Sequence, residues 1–141
     1  MLMRVIQGFL LLALTVVTHA FVLGALLKHV QKSLVGLPAR FAPQSRLLIR
    51  VAAVTVLAHL AEIALWAGFF VWKEALATFE LAFYFSAVTY ATIGYGDVVL
   101  PEPWRLLAAM EGLTGILMCG WSAAFFFAVV SRLFALPRSD T

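Results

Sequence analysis

Apolar residues fall into three long runs along the chain, each bordered by charged residues. The runs cover Val5–Leu27, Val51–Trp72 and Leu106–Val130, and the second can begin as early as Leu47. A helix needs about 20 residues to cross the hydrocarbon core of a bilayer, so each run is long enough for one crossing. The pattern predicts an all-α membrane protein with three transmembrane helices.

The stretch between the second and third runs, 73–103, is not a simple polar loop. Thr78 is a suitable N-cap and Glu80 places an acid in the first turn, so we predict a helix over Phe79–Tyr90. At about 12 residues this helix is too short to cross the bilayer. Backbone that enters a membrane without crossing it is tolerated where it is buried in protein or lines a water-filled path. We therefore expect a re-entrant helix.

Composition agrees with the bilayer as solvent. The chain has 141 residues, of which 64% are hydrophobic and 12% are charged, and its mean hydropathy is +1.01. Soluble domains carry roughly 25% charged residues. The net charge of +3 does not indicate nucleic-acid binding, because the basic residues border apolar runs. The one cysteine, Cys119, excludes an intrachain disulfide and a Cys/His metal cluster.

Basic residues predict the orientation of the chain, since short loops rich in Lys and Arg stay on the cytoplasmic side. The loop between the first two runs contains no acid, and Pro38 and Pro43 keep its middle from being one long helix. We predict an N-terminus outside and a C-terminus inside, in a cell membrane. The predicted inside residues are Lys28, Lys32, Arg40, Arg46, Arg50, Arg132 and Arg138, and the outside ones are Arg4, Lys73 and Arg105.

The first run has a second interpretation. Met1–Arg4 resembles the charged start of a signal peptide, and Thr18-His19-Ala20 resembles a cleavage site. The apolar core of a signal peptide is about 7–15 residues long, and this run continues beyond that length to Leu27. We favour a retained transmembrane helix, whose role stays open at this stage.

The short helix is followed by the segment Thr92-Ile93-Gly94-Tyr95-Gly96-Asp97. It resembles the ion filter of the potassium-channel pore family, and in particular the small bacterial channels with one pore loop per subunit. The resemblance covers about residues 47–136. A dehydrated cation needs rings of oxygen atoms in place of water. Backbone carbonyls supply such rings when glycines permit alternating dihedrals.

The resemblance implies the ion sites and the assembly. Potassium would be bound by the Thr92 hydroxyl and by the carbonyls of Thr92, Ile93, Gly94 and Tyr95, with Gly96 completing the filter. Potassium is the permeant ion, and no other cofactor is expected. A single filter segment cannot close a ring, so we expect a homotetramer in membrane lipid. Two further residues are implied at the outer mouth: Asp97 as an acceptor and Tyr84 as its hydrogen-bond donor.

Departures from the family pattern occur behind the filter. Many family members have threonine where this chain has Ala91, and some have glutamate at the position of Val88. The side-chain hydrogen bonds behind the filter are therefore expected to be fewer.

The third run contains further candidates. Glu111 is interpreted as a residue that supports the filter from behind, the alternative being a protonated or snorkelling acid near the interface. Gly115 is a candidate hinge by family resemblance, the alternative being close helix packing. Phe127 is a candidate hydrophobic gate. On the second run, His59 and Glu62 are three apart and can share a helix face.

The predicted function is a potassium-selective channel subunit. The alternatives are a weakly selective cation channel and a non-conducting accessory membrane subunit. No enzyme is expected, since no cluster of nucleophile, base and metal ligands is visible. The predicted organisation is an accessory helix over 1–30, a basic loop over 31–46, a pore domain over 47–136 and a short tail over 137–141. Within the pore domain we predict an outer helix over 47–72, a pore helix over 78–90, a filter over 92–97 and an inner helix over 104–135.

Overall fold

The computed structural model describes residues 1–35 and 41–135, and all regular structure in these ranges is helical. The predictions for Pro38, Arg40 and the tail over 137–141 lie outside the described residues. The helices are α1 (Leu2–Leu34), α2 (Phe41–Trp72), α3 (Phe79–Tyr90) and α4 (Arg105–Phe134), with a 3-10 turn at Glu102–Trp104 just before α4.

Three of the helices, α1, α2 and α4, are long and apolar enough to cross a membrane. Helix α3 has the bounds predicted from Thr78 and Glu80. Helices α1 and α2 are longer than predicted, so most of the predicted 31–46 loop is helical. Helix α2 begins six residues before Leu47 and contains Pro43 near its start. Proline is tolerated there because its missing N–H would have no helical partner in the first turn.

Helix α1 packs against both α2 and α4, and α3 lies between α2 and α4. A first core cluster joins all four helices, with Leu11 from α1, Trp66 and Phe70 from α2, Phe85 from α3 and Leu107 from α4. Phe70 and Phe85 meet edge to face, with ring centroids 5.6 Å apart. The re-entrant helix is thus held on a side of α2 that is lined with aromatic rings.

A second core cluster lies at the other end of the long helices, where α1, α2 and α4 meet without α3. Its buried members are Leu23, Leu26, Val30, Leu47, Val51, Val129 and Leu133. Helix α1 contributes buried residues to both clusters, so it packs against α2 and α4 at both ends of the bundle. Large apolar side chains on the outside of the long helices remain exposed, which suits contact with lipid or with further copies of the chain.

Candidate pore loop and filter

Helix α3 leads directly into the predicted filter and determines where that segment starts. At its start the Thr78 hydroxyl accepts a hydrogen bond of 3.2 Å from the Leu81 amide, and Glu80 lies in the first turn. The acid complements the positive end of the helix dipole. The helix ends at Tyr90, and the Ala91 amide bonds to the Ala87 carbonyl at 3.0 Å. The negative end of the dipole is therefore directed at the chain that leads into Thr92.

The backbone φ angles of the predicted filter alternate in sign. The φ angle is positive at every second residue, with 60° at Thr92, 56° at Gly94 and 79° at Gly96. Glycine adopts such angles without penalty, whereas a β-branched residue such as threonine rarely does. Strained dihedrals of this kind concentrate at functional sites. This alternation is the dihedral pattern that successive carbonyls need in order to point the same way.

One carbonyl of α3 anchors the inner half of the filter segment. The Val88 carbonyl accepts hydrogen bonds from the amides of Ile93 at 2.9 Å and Gly94 at 3.3 Å. The Thr92 amide bonds to the Thr89 carbonyl at 2.9 Å. Because Val88 has no polar side chain, the sequence predicts few side-chain hydrogen bonds at this position. The structure supplies backbone support at this position instead.

Within the described residues, no hydrogen bond ends on the carbonyls of Thr92, Ile93, Gly94 or Tyr95. These oxygens are therefore free acceptors at the tip of a re-entrant segment. The side chains of Ile93 and Tyr95 are 55% and 70% exposed in a single chain. Exposed apolar side chains beside free carbonyls indicate that the side chains of this segment are covered by another surface, such as a further copy of the chain.

Asp97 and Tyr84 form the predicted contact at the end of the filter. The Tyr84 hydroxyl donates a 2.7 Å hydrogen bond to Asp97 Oδ2. This bond lowers the pKa of Asp97 below its ordinary value, against a smaller opposing effect of burial. The same bond raises the pKa of Tyr84. Asp97 therefore stays ionised at neutral pH and links the loop after the filter to the middle of α3.

Glu111 of α4 lies beside α3 and is completely buried. The Ser86 hydroxyl of α3 lies beside it, but neither side chain makes a hydrogen bond of acceptable geometry within the described part of the chain. A buried polar group without a hydrogen-bond partner is costly and uncommon in folded proteins. The burial of Glu111 beside α3 is compatible with both interpretations, and its role behind the filter stays a prediction.

Gly115 brings α4 against the end of α3. A Cβ at Gly115 would collide with the carbonyl of Tyr90, and one at Gly112 would lie 3.4 Å from the carbonyl of Thr89. The structure thus gives Gly115 a packing reason, and its role as a hinge stays a prediction. Phe127, the gate candidate, is 71% exposed on α4, so most of its side chain is free of contact with the described residues, and its role as a gate stays a prediction.

His59 and Glu62 share a face of α2 as the spacing predicted, with 3.6 Å between His59 Nδ1 and Glu62 Oε2. Three residues that the sequence did not single out join them: the Tyr90 hydroxyl donates to Glu62, His19 Nδ1 lies 2.8 Å from Glu62 Oε1, and Ser122 lies beside His59. None of the three has a local signal, because each meets its partners only through the tertiary fold.

Three helices long and apolar enough to cross a membrane, a short capped helix and a loop of alternating dihedrals are the arrangement expected of a membrane protein with a pore loop. A family model described as ion channel matches residues 51–132. The chain belongs to this ion-channel family, whose domain is of the two-transmembrane potassium-channel type. No curated protein and no solved structure matches the chain. The protein is accordingly an ion-channel subunit that crosses the membrane several times.

Proposed function

We propose that four copies of this chain form a potassium-selective channel that conducts K⁺ passively across a cell membrane. The observation that carries the proposal is the backbone of residues 92–96. Its φ angles are positive at Thr92, Gly94 and Gly96, and the carbonyls from Thr92 to Tyr95 are free of hydrogen bonds among the described residues. Such carbonyls can replace the water shell of a dehydrated cation.

The ion sites would be formed by the Thr92 hydroxyl and the carbonyls of Thr92, Ile93, Gly94 and Tyr95. Four chains around one axis are needed, because one segment presents only one wall of each site. The exposed side chains of Ile93 and Tyr95 would then pack against the neighbouring subunits. Potassium is the cargo of the channel.

The parts around the filter have separate tasks in this proposal. Asp97, held by Tyr84, stabilises the outer mouth, and Glu111 supports α3 from behind. The end of α3 directs its negative dipole at the inner side of the filter and favours a cation there. Phe127 on α4 closes the inner path by excluding water, and Gly115 permits α4 to bend. The N-terminus lies outside and the C-terminus inside, in accordance with the basic loop.

The test is ion flux from purified protein in liposomes. We expect flux with a potassium gradient, block by barium, and a reversal potential set by potassium when sodium is on the other side. Gly94→Ala places a Cβ at a φ of 56° and should abolish selective flux. Ile93→Val changes the same segment by one methylene at a residue without positive φ, and should conduct.

Two results would replace the proposal with its alternatives. A reversal potential that does not distinguish potassium from sodium would indicate a weakly selective cation channel. Absence of flux from a correctly assembled tetramer would indicate a non-conducting accessory subunit. The oligomer is measured independently, by mass determination of the purified complex.

A further inference from the structure

Five polar side chains from four helices meet inside the bundle. His19 of α1 and Glu62 of α2 join through Nδ1 and Oε1 at 2.8 Å, both fully buried. Tyr90 of α3 donates its hydroxyl to the other oxygen of Glu62 and lies 3.1 Å from His59 Nδ1. Ser122 of α4 lies 3.1 Å from the Nε2 atoms of His19 and His59. The cluster is separate from the predicted ion sites.

The donor atoms of the cluster match a metal-ligand set. His19, His59 and Glu62 each offer one ligand atom, and these atoms all lie within 4.8 Å of one another. A tetrahedral zinc ion with bonds of about 2.0–2.1 Å keeps its ligands roughly 3.4 Å apart. His19 Nδ1 lies 2.8 Å from Glu62 Oε1 and His59 Nδ1 lies 3.6 Å from Glu62 Oε2, so the two separations lie on either side of that value but involve different carboxylate oxygens. A rotation of the Glu62 carboxylate and small movements of the rings would bring three ligands around one ion.

Charge at the cluster favours a cation. Among the described residues, the ion-pair partners of Glu62 are two histidines, and neither lysine nor arginine approaches it. A carboxylate inside a membrane-spanning helix is expensive unless a positive charge or strong hydrogen bonds compensate it. Two imidazoles with one carboxylate suit zinc and neighbouring transition metals, whereas calcium and magnesium prefer oxygen ligands only.

We propose that His19, His59 and Glu62 form a binding site for a divalent transition-metal ion of the zinc type. The two Nδ1 atoms and one carboxylate oxygen are the ligands, and the Tyr90 hydroxyl occupies the fourth side. Ser122 accepts from the two Nε2–H groups and holds both rings in orientation, as outer partners of metal-bound histidines do. When a neutral His19 ring binds the ion through Nδ1, the ring proton moves from Nδ1, where it faces Glu62, to Nε2, where it faces Ser122.

The site connects α1 to the pore. His19 lies outside the family match at 51–132, whereas Tyr90 is the last residue of α3 and stands two positions before Thr92. An ion at the cluster would link α1 to α2 through its ligands. Glu62 would then bind the ion instead of accepting the hydrogen bond from the Tyr90 hydroxyl. This consequence for conduction rests on the proposed function, whereas binding of the ion does not.

The experiment is a zinc titration of the full-length, chelator-treated protein in detergent. We expect about one ion bound per chain, a rise in the thermal midpoint, and X-ray absorption with nitrogen and oxygen neighbours at about 2.0–2.1 Å. Separate His19→Gln and His59→Gln variants should lose the ion where wild type is saturated. Ser122→Ala should bind about tenfold more weakly, as loss of an outer partner does.

Two matched controls separate this site from other zinc ligands. His29 lies exposed on the same helix as His19, and Cys119 is an exposed thiol on α4. His29→Gln and Cys119→Ser should bind zinc as wild type does. Sulfur neighbours at about 2.3 Å, loss of binding in either control, or failure of wild type to bind would overturn the proposal and leave a hydrogen-bonded network. The wild-type absorption spectrum decides the matter even where a histidine variant does not fold.

Flux is measured on the same preparations. Zinc should change potassium flux of wild type and leave that of His59→Gln unchanged. Zinc binding without any potassium flux would contradict the proposed function and retain the metal site. Potassium flux without zinc binding would do the reverse.

Discussion

At the scale of single residues, the hydrogen bond between Tyr84 and Asp97 influences the protonation of Asp97, which follows the predicted filter. The bond of 2.7 Å holds the pKa of Asp97 below its ordinary value of 3.8. Because the pKa of Asp97 is lower in the folded chain than in the unfolded chain, ionised Asp97 stabilises the fold, and this contribution is complete at pH values above the ordinary pKa. The contribution is lost as pH falls through the lower pKa of the folded chain.

Tyr84→Phe should therefore raise the pKa of Asp97 towards 3.8, because the replacement removes the donor that favours the ionised form. Carbon-13 NMR of labelled aspartate, titrated between pH 2 and 6, measures the change. Tyr95→Phe is the matched control, since its hydroxyl makes no hydrogen bond to Asp97 among the described residues. An unchanged titration in Tyr84→Phe would contradict the assignment.

Residue-level prediction from the sequence succeeded where a local motif existed. The donor and acceptor at positions 84 and 97 followed from the family pattern, and their hydrogen bond is present. The cluster around Glu62 was different, since His19 stands 43 positions from Glu62 and Ser122 stands 103 positions from His19. Nothing in the local sequence brings such residues together, so only the packing of four helices could reveal them.

At the scale of helices, the ends of α3 were predictable because capping is local. Thr78 and Glu80 marked the start of α3, and the filter motif marked its end. The start of α2 was predicted wrongly, since Pro43 was read as a loop residue and lies instead near the helix start. A proline gives no sign by itself of whether it precedes a helix or begins one.

The contact between α4 and α3 predicts opposite effects for two glycines of α4. Gly115→Ala should destabilise the protein by about 1–3 kcal/mol, because the new methyl group meets the Tyr90 carbonyl. Gly120→Ala should stabilise it by about 0.5–1 kcal/mol, because open space surrounds that position in the chain and alanine favours helix. Thermal unfolding in one detergent compares the two variants. Equal shifts would show that α4 does not lie against α3 as described.

At the scale of the whole molecule, α1 is built into the same core as the channel domain. The indole N–H of Trp66 on α2 donates to the Thr15 hydroxyl on α1 at 3.1 Å, and both residues are completely buried. The family match begins at residue 51, so α1 is an addition to the domain. Its buried polar contacts make it part of the folded unit rather than a loosely attached anchor.

This integration predicts a difference between two threonines of α1. Thr15→Val keeps the side-chain shape but removes the acceptor of the Trp66 N–H. The loss should be about 0.6–1.7 kcal/mol, the range measured for hydrogen bonds between helices in membranes. Thr18→Val is the control, since Thr18 is only partly buried and makes no side-chain hydrogen bond among those of the described residues. Reversible unfolding in mixed micelles gives both values. If Thr15→Val matched Thr18→Val, α1 would be associated with the channel domain through apolar contacts alone, and the polar link from α1 to the end of α3 would have to run through His19.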